Sequence, residues 1–280
     1  MSVAVSTACE AVREPETGVC AIADKTLIAR EFGGASKTYD GASRLQRLMG
    51  DVMLETLASG GDSLQGCQVL DLDCGTGWFA RKMAANWGVR VTGVDLSPGM
   101  IQQAANASEP DIAWQVADAE SLPFKDNRFD VVFSNLMVQW CADPRKVFAE
   151  CQRVLRPGGR LVLSTLLEGT LRELEQAWAM ADPGQQHINR FESRELLQQR
   201  ADAVLPGARV DSRTVQLPYA SPMALAAELR QLGAGFKSAS RRKTVTAPGR
   251  LRAMCRHYHT QADGRVIASY EAAWVYWQRS

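Results

Sequence analysis

Three carboxylates that follow hydrophobic runs carry the clearest chemical signal in this sequence. Asp71 lies in Val69-Leu70-Asp71-Leu72-Asp73-Cys74-Gly75-Thr76-Gly77, where an apolar run leads into a glycine-bearing turn and a helix start. Glycine lets backbone approach a ligand closely, and a helix N-terminus offers free N–H groups. Such a loop alone is a weak signal. Asp95 ends the run Val91-Thr92-Gly93-Val94, 24 positions beyond Asp71. An acid there can accept both hydroxyls of a ribose. Asp118, in Ala117-Asp118-Ala119-Glu120, follows the next run and can accept from an adenine amino group. Three acids beside a glycine turn suit a nucleoside and suit a pyrophosphate poorly, because like charges repel. Singly, each acid reads equally well as a helix cap or turn residue; their common register is what points to a site.

Alternating elements must position these residues. Residues 69–72, 89–94, 112–116, 129–133 and 161–166 read as strands, and 78–87 as a helix. Ser97-Pro98 and Asp143-Pro144 are capped helix starts. After the second, Val147, Phe148, Cys151, Val154 and Leu155 form one apolar stripe. Pro157-Gly158-Gly159 reads as a turn. Repeated β-α-β units with short links pair in parallel through right-handed crossovers, which predicts an α/β, doubly wound sheet. Ligands of such sheets sit outside the carboxyl ends of the strands, where strand order reverses. Residues 25–57 have helical spacing throughout, and three glycines interrupt 59–66. Beyond 167, helices at 170–180 and 193–201 precede candidate closing strands at 210–217 and 266–277. A helical insertion, 222–259, lies between those strands. The expected divisions are an extension without fixed structure at 1–24, a helical cap at 25–66, and one domain at 67–280 carrying that insertion.

The composition fits a globular protein. Of 280 residues, 46% are hydrophobic and 22% charged, and 32 Lys and Arg against 31 Asp and Glu leave a net charge of +1. That balance argues against a nucleic-acid-coating role. No apolar run reaches the roughly 18 residues of a membrane helix. Glu10, Arg13, Glu14 and Glu16 stand where a secretory signal would be apolar. Seven cysteines, without a C-x-x-C pair, argue against a disulfide framework or a metal site and for a cytoplasmic protein.

The order of acids and glycines resembles the S-adenosylmethionine-dependent methyltransferases of the Rossmann-like class. That family has acid-x-Gly-x-Gly-x-Gly after its first strand, an acid after the second and Asp after the third. Phe129-Asp130-Val131-Val132 and Leu155-Arg156-Pro157-Gly158-Gly159 resemble it too. The likeness covers about residues 67–167 and implies a mostly parallel, seven-stranded sheet, with N-terminal helices and a helical insertion as lid. It implies S-adenosylmethionine as cofactor, with contacts at Asp71, Asp73, Gly75, Gly77, Asp95, Leu96, Asp118, Ala119 and Asn135, and no metal. One position departs: Asp73 stands where the family has its first glycine.

The flanks resemble one subgroup, the malonyl-acyl carrier protein O-methyltransferases of biotin synthesis, from about residue 28 to 235. The carrying stretches are Phe32-Gly33, Thr38-Tyr39-Asp40, Ser134-Asn135-Leu136-Met137-Val138-Gln139-Trp140-Cys141, Gly169-Thr170-Leu171-Arg172-Glu173-Leu174, Ala177-Trp178, Asn189-Arg190-Phe191 and Leu229-Arg230-Gln231-Leu232-Gly233-Ala234. The resemblance implies methylation of a malonyl carboxylate, which is ionised at neutral pH with a reference pKa around 4, so no general base is assigned. Arg190 is the candidate carboxylate clamp, Tyr39 a lid, and Gln139 and Trp140 the lining of the transfer pocket. Residues 229–265 hold nine cations against Asp263 alone. Arg230, Lys237, Arg241, Arg242, Lys243, Arg250 and Arg252 form the candidate face for an acidic carrier protein docking on a monomer, with neither nucleic acid nor membrane as partner. Two other readings fit the same residues: a methyltransferase of a free small acid or quinone-like metabolite, and a non-catalytic cofactor-binding homologue in which Asp73 is the lesion.

Overall fold

The computed structural model describes residues 24–61, 63–107, 111–237 and 246–280. The expectations for residues 1–23 and for Arg241, Arg242 and Lys243 lie outside the described residues.

Seven strands form one sheet in the order β3-β2-β1-β4-β5-β7-β6. The first five, β1 (Gln68–Leu72), β2 (Arg90–Asp95), β3 (Ala113–Val116), β4 (Phe129–Asn135) and β5 (Leu155–Leu166), pair in parallel. β7 (Val266–Gln278) runs antiparallel between β5 and β6 (Arg209–Tyr219). Strand order reverses between β1 and β4, so the strand ends there open a crevice.

Period-two alternation builds a core on each face of the sheet. Val69, Val91, Val131 and Phe133 pack on one side. Leu70, Val94, Val132 and Leu163 pack on the other. The helices between strands are α3 (Trp78–Trp87), α4 (Pro98–Asn106) and α5 (Pro144–Val154). Their starts are capped as the sequence suggests: Ser97 Oγ accepts from Met100 N and Asp143 from Arg145 N. The α5 stripe of Val147, Phe148, Cys151 and Val154, with Leu155, is fully buried.

Two local expectations are corrected. The helical spacing over 25–57 is split, because α1 (Lys25–Ala42) ends at Ser43 and α2 (Arg44–Ser59) starts afresh. Ser43 leaves helical geometry at φ −88°, ψ 41°, and its Oγ donates back to Asp40 O. Pro157-Gly158-Gly159 is not a turn ahead of a strand. It lies within β5, with Gly158 at φ +79° and the ladder register shifting opposite Phe129–Val131. Gly158 N donates to Arg279 O, and Arg279 N to Gly159 O, which ties this stretch to the chain's last residues.

Most of the remaining helices cover the crevice. α6 (Arg172–Ala181) packs on α9 (Pro248–His257), and α8 (Pro222–Gln231) packs on α1. α7 (Arg194–Asp202) lies against β6 and α5. α1 also crosses α4 closely, with Gly33 facing Gly99; a Cβ on Gly99 would stand 2.9 Å from Gly33 Cα. Among the described residues no helix is long and apolar enough to cross a membrane.

Candidate active site

Asp95, the last residue of β2, is held by backbone amides. Its Oδ1 accepts from Ser97 N at 2.7 Å and its Oδ2 from Gly75 N at 2.9 Å. The carboxylate thereby fixes the glycine turn after β1 against the start of α4. Carboxylate oxygens accept more than one bond each, so capacity for ligand hydroxyls remains. Burial pushes Asp95 up to about 6, against the pull of the two amides. Asp73 sits beside it in the left-handed region at φ +62°. Burial, then the charges of Asp95 and Asp71, hold its carboxyl well above the usual range. Asp118 is the opposite case. Partial burial opposes its ionisation, but bonds from Lys25 Nζ (2.7 Å) and Glu120 N (3.0 Å) keep it below the usual range.

These residues line a cavity of about 520 Å³ at the strand ends, within the size of small-molecule sites, about 300–1,000 Å³. Gly75, Asp95, Leu96, Asp118 and Ala119 form one side of it. Lys25, Ile28, Phe32 and Tyr39 of α1 close over them. The far wall comes from Gln139 and Trp140 in the short 3-10 turn Val138–Trp140, from Trp178 of α6, from His187–Asn189, and from the end of α8. Trp140 meets Phe32 edge-on with centroids 5.4 Å apart, and Trp178 stacks on His187 at 3.9 Å. Gln139 is locked, donating to Leu136 O at 2.5 Å and accepting from Thr165 Oγ1 at 3.1 Å. The Tyr39 phenol is pushed up by burial and by Asp73, Asp95 and Asp40, so it stays protonated. Low dielectric strengthens the negative field of clustered carboxylates. The rim therefore fits a nucleoside whose tail carries positive charge.

The structure thus brings Asp73, Gly75, Asp95, Leu96, Asp118, Ala119, Tyr39, Gln139 and Trp140 to one cavity. Five other expectations are corrected. Asp71 is buried and off the cavity lining; it faces the Ala80 amide in the first turn of α3, and its Oδ2 has no hydrogen-bond partner among the described residues. Burial pushes it up to about 7. Gly77 is the N-cap of α3, and a Cβ there would stand 2.3 Å from Trp114. Asn135 donates to Gln46 O at 2.9 Å and accepts from Ser164 Oγ at 2.7 Å, so it ties α2 to the strand ends. Arg190 is exposed and off the lining of the large cavity; it borders a small adjoining pocket with Gln139 and Phe191. Lys237 is no surface cation: it is buried, with Nζ 2.6 Å from Glu31 and 4.7 Å above the Phe32 ring. Arg230, Arg250 and Arg252 are exposed.

Sequence reasoning gave no role to Lys25, Glu31, Phe32 or His187. His187 Nε2 lies 3.1 Å from Asp182 Oδ2, five positions earlier. That spacing and a histidine two residues before Asn189 were the available signals.

Residues 70–163 match the family model described as a methyltransferase domain. A malonyl-acyl carrier protein O-methyltransferase of Hahella chejuensis is 40% identical over 254 residues, covering 88% of this chain and 88% of the relative. The biotin biosynthesis bifunctional protein BioHC of Cellvibrio japonicus is 35% identical over 254 residues, 90% of this chain and 50% of that longer protein. The structure of Haemonchus contortus phosphoethanolamine N-methyltransferase 2 in complex with S-adenosyl-L-methionine has a TM-score of 0.56 at 19% identity, covering 88% of this chain and 57% of that one, and shares the fold. Identity sustained across most of both chains, as with the Hahella protein, means that this chain belongs to the malonyl-acyl carrier protein O-methyltransferase family.

Proposed function

We propose that the chain transfers the methyl group of S-adenosylmethionine to the free carboxylate of malonyl-acyl carrier protein. The product is the malonyl methyl ester from which pimeloyl assembly in biotin biosynthesis begins. The observation that carries the reading is the gathering of Gly75, Asp73, Asp95 and Asp118 on one cavity at the reversal of strand order, in a chain of this family.

When bound, S-adenosylmethionine supplies a sulfonium methyl open to in-line attack by a carboxylate oxygen. Asp95 would accept the ribose hydroxyls, and Asp118, bonded here to Lys25, would accept the adenine amino group. Tyr39 stands over the glycine turn; a Cβ on Gly75 would lie 3.8 Å from its ring. Its protonated phenol is a hydrogen-bond donor towards the substrate carboxylate. Phe32 and Trp140 exclude water. An ionised acid needs no base, so rate is gained by orientation, which supplies roughly 7–11 kcal/mol in well-aligned intramolecular reactions. The acids of the rim would repel a substrate carboxylate in the absence of a bound cation, which favours binding of the donor first.

The carrier protein docks on Arg230, Arg250 and Arg252, beside the helices that cover the cavity, with Arg241, Arg242 and Lys243 extending that face in the sequence. The near-neutral chain works as a monomer in the cytoplasm, with no nucleic-acid or membrane partner. Initial rates with malonyl-carrier protein, malonyl-coenzyme A and free malonate test the reading. The carrier-bound acid is turned over with the highest kcat/KM; a preference for free malonate supports the small-acid reading instead.

A further inference from the structure

Asp73 is the one residue of the glycine turn that breaks the pattern of the family, and nothing in the fold requires an acid there. Its backbone sits at φ +62°, a conformation that suits glycine better than aspartate. Among the described residues no donor forms a hydrogen bond with its carboxylate. Asp71 and Asp95, by contrast, are each held by backbone amides. Asp73 lines the cavity together with Tyr39, Gln139, Trp140 and Cys141, and its charge acts on both Tyr39 and Cys141. A carboxylate in a strained conformation, without a protein partner and next to two further acids, is a cost to the free protein. A ligand with positive charge at that point offsets the electrostatic part of that cost.

We propose that Asp73 is a charge-reading residue of the donor pocket: its carboxylate faces the cationic tail of the donor and selects ligands by their positive charge. This rests on S-adenosylmethionine as the ligand of the cavity. The donor carries a sulfonium and an ammonium. The demethylated product, S-adenosylhomocysteine, loses the sulfonium and keeps the ammonium beside the same α-carboxylate, and 5′-methylthioadenosine lacks all three. Asp73 therefore holds the donor more tightly than the spent product and favours its release, a discrimination that glycine at this position would not supply. The groups facing it are Asp71 and Asp95 from the strands and Tyr39 from α1. Tyr39 is neutral, so no cation of the described residues at this point substitutes for the ligand's charge.

The test is calorimetric titration of the three nucleosides into the intact wild-type chain, Asp73→Asn and Asp73→Gly. Asparagine keeps the shape and removes the charge; glycine suits the φ and removes both. The proposal predicts that both variants bind 5′-methylthioadenosine within about twofold of wild type, a control for the fold of the pocket. S-adenosylmethionine weakens most, by roughly tenfold or more as for a lost bond to a charged group, and S-adenosylhomocysteine by an intermediate factor. Equal weakening of all three ligands assigns Asp73 a structural role and overturns the proposal, as does unchanged or tighter binding of S-adenosylmethionine to Asp73→Asn. If the wild type binds none of the three, the donor reading itself fails. If the wild type binds S-adenosylmethionine and the variants keep its preference over the product, only the role of Asp73 fails.

Discussion

Asp95 organises the rim before any ligand arrives, because its two oxygens hold Gly75 and Ser97 by their amides. Asp95→Ala leaves both amides unpaired, at about 1–3 kcal/mol, and removes the acceptor for the ribose. We expect a lower melting temperature and at least a roughly tenfold loss in donor affinity by calorimetry; unchanged affinity contradicts the ribose role. The ionised form is the one that accepts hydroxyls and faces a cation. With Asp95 raised to about 6, its contribution to donor affinity is lost as pH drops through about 6. Asp71 is a stability group instead. Its pKa rises on folding, from 3.8 to about 7. The stability it contributes is thus present below its unfolded value and lost as pH rises through about 7. At about 1.4 kcal/mol per unit the ceiling is about 4 kcal/mol. Asp71→Asn should raise the melting temperature at pH 8 and flatten its decline between pH 4 and 7; a parallel curve contradicts the account.

The lid over the rim is an element, α1, and its position depends on glycine. Gly33 and Gly99 let α1 and α4 approach until only hydrogen atoms fit between them. Gly99→Ala forces the helices apart, an overpacking cost of about 1–3 kcal/mol. Hydrogen exchange should show faster α1 amides, and calorimetry weaker donor binding; unaltered α1 protection removes the lid role. Lys25 latches the start of α1 to Asp118 and Glu120, but a half-exposed pair adds at most about 1 kcal/mol. The strands and helix starts were legible in the sequence because each signal is local: two-residue alternation at Val91 and Val131, a Ser or Asp before Pro98 and Pro144. Alternation also explains the misplacement of Asp71. It lies inside β1, not at its end, and its side chain serves α3 while Asp73, past the strand, reaches the cavity. Arg190 and Lys237 were misplaced because no local pattern encodes which way a loop side chain turns. Arg190 turned out to the surface; Lys237 turned in to Glu31 and two aromatic rings.

Across the whole molecule, charge is segregated although the net is only +1. Asp73, Asp95 and Asp118 line the rim, and the exposed Arg230, Arg250, Arg252 and Arg256 lie on α8 and α9, which cover it. Such a field raises association rates with an acidic partner and weakens as salt screens it over about 8 Å at 0.15 M. Replacing both Arg252 and Arg256, exposed on α9, by Glu should lower kcat/KM for malonyl-carrier protein roughly tenfold at low ionic strength. The effect should shrink with added salt and leave malonyl-coenzyme A unaffected; equal loss on both substrates contradicts docking on this face. The central claim, that a methyl group passes from a donor at this rim to a carrier-bound carboxylate, is met most directly by mass spectrometry of malonyl-carrier protein after incubation with the chain and S-adenosylmethionine. The account predicts the gain of one methylene mass on the malonyl group, dependent on added donor and, at sub-saturating donor, slowed roughly tenfold or more by Asp95→Ala. An unmodified malonyl group in the presence of bound donor would contradict it.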